Sequence, residues 1–126
     1  MSSSLNSATV TPDDAGAPLV ALDAIADGGF AAVDAVIDTT PESLILHRDG
    51  TAVRAWLNIC PHAGRRLDWS PGEFLKSRDG LLVCAVHGAS FELQGGECVA
   101  GPCRGDRLRA VPVHVRDGNV FLVAEA

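Results

Sequence analysis

Short runs in which apolar and polar residues alternate recur along most of the chain, separated by turn-forming residues. The clearest run is residues 51–59, where apolar side chains occupy every second position: Val53, Ala55, Leu57 and Ile59. A period of two sends successive side chains to opposite faces of an extended chain. The pattern therefore predicts a β-strand with one buried face.

Asp-Gly pairs punctuate these runs at residues 49–50, 79–80 and 117–118. Each pair is flanked by candidate strands: 43–48 with 51–59, 74–77 with 81–86, and 109–116 with 120–124. Asp-Gly is a strong hairpin signal because both residues tolerate positive φ. A further strand is predicted at 30–37, ending before Pro41, which cannot donate to a sheet ladder. Because no long segment shows helical periodicity, the fold class is predicted to be all-β, a small antiparallel barrel or sandwich.

The chain of 126 residues is expected to form one domain at residues 18–126, preceded by a flexible tail at residues 1–17. The tail is rich in Ser, Thr, Asp and Ala and poor in large apolar residues. No apolar run approaches the roughly 20 residues of a membrane helix. The N-terminus also lacks the basic and apolar regions of a secretory signal. We therefore expect a cytoplasmic protein that does not associate with membranes.

The formal net charge of −6 is unevenly distributed. Residues 1–59 contain eight acidic and two basic residues, whereas residues 60–126 contain eight of each. Nucleic-acid binding requires a basic stripe or patch, and the sequence has none of the needed strength. Nucleic acid is therefore not an expected partner.

Two short stretches have related sequences: Cys-Pro-His-Ala-Gly at residues 60–64 and Cys-Ala-Val-His-Gly at residues 84–88. Each follows a candidate strand, so two loops are expected side by side at one end of the barrel. Sulfur and imidazole donors suit zinc or iron–sulfur chemistry better than calcium or magnesium. The stretches therefore predict a metal centre whose candidate ligands are Cys60, His62, Cys84 and His87.

Four cysteines in a reducing compartment argue against a disulfide framework and for metal or redox use. Two of them, Cys98 and Cys103, lie in the glycine-rich segment 95–103 with no histidine near. We interpret these two as small residues that pack a turn.

The paired stretches, with residues 63–83 between His62 and Cys84, resemble the cluster-binding loops of Rieske [2Fe–2S] proteins. The family pattern also has an aromatic residue soon after the second stretch and a Gly-Pro turn further on, which Phe91 and Gly101-Pro102 match. The resemblance extends over residues 18–124 and is to a stand-alone Rieske ferredoxin. It implies a [2Fe–2S] cluster with Cys60 and Cys84 on one iron, His62 and His87 on the other, and a third loop at Gly101 and Pro102 covering the cluster.

The function implied by this resemblance is electron transfer, without bond chemistry of the protein's own. Single electrons would pass from a reductase to an oxygenase or another redox protein. One alternative is a Rieske-fold small subunit stably bound to a larger reductase. Another is a structural zinc domain, because zinc sites also use two cysteines and two histidines. A cluster predicts a brown protein, and zinc a colourless one.

The resemblance also concerns the reduction potential and docking. High-potential members place hydroxyl donors where this chain has Ala89 and Phe91, and we expect strand alternation to turn Ser90 away. Those members also join their two loops by a disulfide, at positions that are Arg65 and Val86 here. A potential at the low end of the Rieske range, roughly −150 mV, is expected. Arg65 and Arg66 are expected to steer an acidic partner.

Overall fold

The computed structural model describes residues 17–61, 64–85 and 88–123, and the regular structure in these residues is almost entirely β. A 3-10 helix at Leu22–Ala24 is the one helical segment among them. The strands are β1 (Val20–Ala21), β2 (Phe30–Ile37), β3 (Thr40–Asp49), β4 (Ala52–Leu57), β5 (Leu75–Lys76), β6 (Leu82–Val83), β7 (Ser90–Phe91), β8 (Cys98–Ala100), β9 (Val113–Arg116) and β10 (Asn119–Leu122). They form antiparallel sheets with the orders β1-β10-β9, β2-β3-β4 and β5-β6-β7-β8. The all-β expectation is confirmed.

Two expectations concern the ends of the chain and membranes. Of the predicted N-terminal tail, residues 1–16 lie outside the described residues. Within the described ranges, no helix has the length and apolar character needed to cross a membrane.

The β2-β3 hairpin turns directly after residue 37, where the predicted strand ends. Asp38 and Thr39 have φ values of 51° and 67°, as a type I′ hairpin turn requires. Pro41 therefore lies inside β3, opposite Val36. The predicted break at Pro41 is wrong because β4 pairs with β3 only from Leu44 onwards, which leaves this part of β3 with one partner strand.

Strands β3 and β4 lie between two groups of buried residues. The first core contains Ile45, Trp56, Cys60, Leu67, Leu82, Cys84, Ala89, Phe91, Cys98, Cys103 and Leu108. The second core contains Ile25, Leu44, Leu46, Ala55, Leu57, Val111 and Val120. Because successive β4 residues point into different cores, Ala55, Trp56 and Leu57 are all buried. The prediction of one buried face for this strand is wrong at its C-terminal end.

The final hairpin packs on the second core through a short connection to β4. The Leu57 N–H donates to the Arg109 carbonyl (2.9 Å), and the Val111 N–H donates to the Ala55 carbonyl (2.9 Å). Val111, Val113 and Val115 all pack in or against the second core, so their predicted common face is confirmed. The cysteines of the candidate loops lie in the first core instead.

His47, on β3, is buried with 7% of its surface exposed, and its ring lies 4.9 Å from that of Phe30. Burial lowers the pKa of His47, and the charge of Lys76 adds to the effect. The unfolded chain takes up this proton near pH 6.5 while the folded protein resists it. Stability therefore falls as the pH drops below about 6.5.

We expect a His47→Leu variant to lose part of this acid sensitivity. Between about pH 7.5 and pH 5.5 the wild type should lose up to about 1.4 kcal/mol more than the variant. That difference corresponds to roughly 5 °C in the apparent unfolding temperature at a fixed scan rate. If the unfolding temperatures of the two proteins change with pH in the same way, His47 is not the group responsible for the acid sensitivity.

Candidate metal centre

The first candidate loop begins at Cys60, three residues after the end of β4. Cys60 is fully buried. Its N–H donates to the Arg65 carbonyl (2.7 Å), and its carbonyl accepts from the Gly64 N–H (2.8 Å). Gly64 has a φ of 67°, a conformation that favours glycine. The described residues at the two ends of this loop are thus hydrogen-bonded to each other, and the buried cysteine lies at its base.

The second candidate loop repeats this backbone arrangement after β6. The Cys84 N–H donates to the Ala89 carbonyl (2.7 Å), and the Cys84 carbonyl accepts from the Gly88 N–H (3.0 Å). Gly88 has a φ of 75°, and Cys84 is 1% exposed. In both loops the cysteine N–H reaches the fifth residue on, and the fourth residue is a glycine that donates back. The related sequences therefore fold into related structures.

The second loop contacts the segment that follows the first loop, because the Ala85 N–H donates to the Leu67 carbonyl (3.2 Å). Both cysteines belong to the first core. His62 and His87 lie outside the described residues, so their assignment as ligands stays a prediction. Within residues 17–61, 64–85 and 88–123, no three cysteine, histidine or acidic side chains are grouped to hold a metal ion.

The described donors fit a thiolate-bound metal centre. Two buried cysteines at the bases of matched loops suit one iron of an iron–sulfur cluster, which takes thiolate ligands. Two cysteines suit zinc as well. The choice between these metals therefore depends on more than the two sulfurs.

A third loop, residues 98–105, lies against the second candidate loop. Gly101 has a φ of 98°, and a Cβ on it would lie 2.7 Å from the Cα of Ala89. Ala100 also pairs with Ser90 in the β7-β8 ladder. Only glycine fits such close backbone contact, so the Gly-Pro turn packs on the residues that follow the second loop. The implied coverage of a cluster by this turn stays a prediction.

Cys98 and Cys103, at the ends of the third loop, are buried at 1% and 3% exposure. Their Sγ atoms are 3.0 Å apart, and the Cys98 thiol also donates to the Ala100 carbonyl (3.2 Å). Burial, with the neighbouring thiols of Cys98 and Cys60, raises the pKa of Cys103 to about 12. Cys98 and Cys103 pack a turn, as the sequence analysis interpreted them. The contact between Cys103 and Cys60 has no signal in the sequence because the two residues lie 43 positions apart.

A polar network that the sequence analysis missed anchors the first loop. Asn58 is 1% exposed, and its Oδ1 accepts from the Leu67 N–H (2.8 Å). Its Nδ2 donates to Asp68 Oδ1 and to Ser43 Oγ, both at 3.3 Å. Residues on either side of the loop are thus tied together. In the alternating pattern of the strand, Asn58 is simply one residue of the polar face. The pattern therefore gives no sign that it anchors the loop.

Arg66 takes part in the same network. Its guanidinium donates to both carboxylate oxygens of Asp68 (2.9 and 2.8 Å), whose side chain is 1% exposed. Burial alone would raise the pKa of Asp68, but hydrogen bonds from Arg66, Gly72 and Asn58 outweigh it and lower the pKa. Arg66 is therefore paired within the protein. The expectation that both arginines steer a partner applies mainly to Arg65, which is exposed.

Comparisons with known proteins agree on one family. A family model described as the Rieske [2Fe-2S] domain matches residues 20–115. The 3-phenylpropionate/cinnamic acid dioxygenase ferredoxin subunit of Photorhabdus laumondii is 30% identical over 96 residues, which are 76% of this chain and 82% of that protein. The carnitine monooxygenase oxygenase subunit of Escherichia coli is 31% identical over 90 residues, and this chain spans only 23% of its length.

A solved structure gives the same result in three dimensions. The ferredoxin of carbazole 1,9a-dioxygenase from Nocardioides aromaticivorans superposes with a TM-score of 0.66 at 26% sequence identity. The match covers 87% of this chain and 97% of that ferredoxin. The similarity therefore extends over nearly all of that ferredoxin.

Proposed function

Because the chain belongs to the Rieske [2Fe–2S] domain family, which binds a [2Fe–2S] cluster, we propose that it carries single electrons from a reductase to an oxygenase or another redox protein. The observation that supports this function best is the pair of matched loops, each with a buried cysteine at its base. Relatives named as ferredoxin subunits of dioxygenases support the same role. We propose Cys60 and Cys84 as ligands of one iron and His62 and His87 as ligands of the other.

Bound to these residues, the cluster supplies reversible one-electron chemistry. The chain buries both cysteines in the first core, which shields their sulfurs from bulk water. Pro61, Gly64 and Gly88, next to the proposed histidine ligands, are exposed. We therefore propose that electrons enter and leave at the histidine side of the two loops, where a partner protein approaches most closely.

The alternative is a Rieske-fold small subunit stably bound to a larger reductase. Similarity to a segment of a longer oxygenase subunit supports a domain that works as part of a larger protein. The coverage of complete ferredoxins, 82% and 97%, favours the separate carrier. Purification as a brown monomer supports the carrier, whereas stable co-purification with a large subunit supports the alternative.

We propose a cytoplasmic location. None of the four cysteines, all of which lie in described residues, forms a disulfide. Thiols of this kind suit a reducing compartment.

The proposed function is tested by purifying the protein under anaerobic conditions. Iron and acid-labile sulfide should each reach about two atoms per chain, since a [2Fe–2S] cluster contains two of each. A reductive titration should consume one electron per chain and produce an EPR signal of the reduced cluster. A colourless protein that contains zinc and no sulfide would refute the proposal.

We also expect a low reduction potential, roughly −150 mV. Ala89 and Phe91 are fully buried and offer no hydroxyl, and the hydroxyl of Ser90 donates to the Gly88 carbonyl (3.3 Å). The added electron therefore receives no hydroxyl hydrogen bond from these three residues. A dye-equilibrated titration at neutral pH measures the midpoint. A value well above zero would reveal another donor close to the cluster.

A further inference from the structure

Two buried cysteines have no part in the proposed electron transfer. If Cys60 and Cys84 bind iron, Cys98 and Cys103 are the remaining thiols of the chain. Their Sγ atoms are 3.0 Å apart, about 1 Å more than the roughly 2.04 Å of a disulfide bond. A small movement of the two side chains is enough to join them.

We propose that Cys98 and Cys103 form a reversible disulfide that fastens the third loop against the second cluster-binding loop. The backbone already holds the ends of the third loop together. The Cys98 carbonyl accepts from the Gly105 N–H (3.1 Å), and the Cys98 N–H donates to the Asp106 carbonyl (2.7 Å). The bond therefore closes across a preformed loop.

Cluster binding makes this pairing specific. Cys103 lies beside both Cys98 and Cys60. Once the sulfur of Cys60 is bound to iron, Cys98 is the partner left to Cys103. The preference of Cys103 for Cys98 over Cys60 thus rests on the proposed function, whereas the short distance between the sulfurs of Cys98 and Cys103 does not.

Oxidation requires an oxidant, and a low-molecular-weight disulfide is the class we propose. One protein thiol loses its proton and attacks the small disulfide as the thiolate, which forms a mixed disulfide and releases one small thiolate that takes up a proton. The second protein thiol then attacks the mixed disulfide and releases the other small thiol. Two protein S–H bonds and one small disulfide are exchanged for one protein disulfide and two small thiols. Exchange is expected to be slow because both sulfurs are buried and the pKa of Cys103, raised to about 12, leaves little thiolate.

The disulfide would slow the release of the cluster from the protein. Gly101 rests on the backbone of Ala89, and Ala100 pairs with Ser90, so the third loop covers the residues after Cys84. Releasing the cluster requires the two cluster-binding loops to open, and the third loop must then move away. A bond between Cys98 and Cys103 limits that movement, so release should be slower in the oxidised protein.

The experiment treats the cluster-loaded protein with cystamine under anaerobic conditions, blocks remaining thiols by alkylation after denaturation, and digests after Glu97 and Arg104. The released peptide, residues 98–104, contains only these two cysteines. We expect it without alkyl groups and lighter by two hydrogen atoms, and dithiothreitol should reverse the change. Two alkylated cysteines, or a stable cystamine adduct, would overturn the proposal.

The second measurement is the rate at which an iron chelator bleaches the visible spectrum. Oxidised wild type should lose its cluster several-fold more slowly than reduced wild type. Cystamine should have no such effect on Cys98→Ser or Cys103→Ser variants. Equal rates for bridged and reduced wild type would overturn the fastening role. An absent spectrum before any oxidant is added would instead count against the proposed function.

Discussion

Replacement of His87 by Ala is expected to remove the cluster from the protein. If His87 binds iron, the variant leaves that iron with an open position in a loop next to exposed Gly88. Loss of residues that merely orient a metal ligand costs about 10–100-fold in metal affinity, so loss of a ligand should cost more than about 100-fold. Iron, acid-labile sulfide and the EPR signal should all be absent from the purified variant.

The matched control is His114→Ala, which removes a histidine from β9, outside both candidate loops. This variant should keep the iron and sulfide of the wild type. A His87→Cys variant offers a replacement donor and should retain a cluster with a lower potential, because thiolate adds negative charge. Retention of the full wild-type signal in His87→Ala would show that His87 is not a ligand.

Replacement of Gly101 by Ala is expected to displace the third loop from the second. The added Cβ would lie 2.7 Å from the backbone of Ala89, and the φ of 98° is itself unfavourable for alanine. Strain of about 1–2 kcal/mol and overpacking of about 1–3 kcal/mol together predict a loss of about 2–5 kcal/mol. The apparent unfolding temperature should fall, and chelator-induced cluster loss should accelerate.

Gly105→Ala separates the two contributions. Gly105 has a φ of 97° in the same loop, but a Cβ there meets no atom within 4 Å. This variant should show only the conformational strain of about 1–2 kcal/mol. Equal effects of the two substitutions on unfolding and cluster loss would mean that the contact between Gly101 and Ala89 has no role.

The turns and the strand pattern could be predicted from the sequence because they depend on neighbouring residues. Asp117 and Gly118 both adopt positive φ, as an Asp-Gly hairpin requires, and β2 spans the predicted residues 30–37. The two candidate loops were also recognisable from their residues, since each backbone arrangement closes within six positions. The cysteine-to-glycine spacing is local information.

The tertiary structure decided the features that join distant segments. Both faces of β4 are buried because each packs against a different core, and these cores form only when the chain folds. The alternating pattern therefore predicted too little burial for this strand. The hydrogen bond between Asn58 and Asp68 links residues 10 positions apart, and the contact between Cys103 and Cys60 links residues 43 positions apart. Such contacts depend on how the sheets pack, and no local pattern of residue types encodes them. The two candidate loops could therefore be predicted from the sequence, whereas the Asn58 network and the contact of Cys103 with Cys60 depend on the packing.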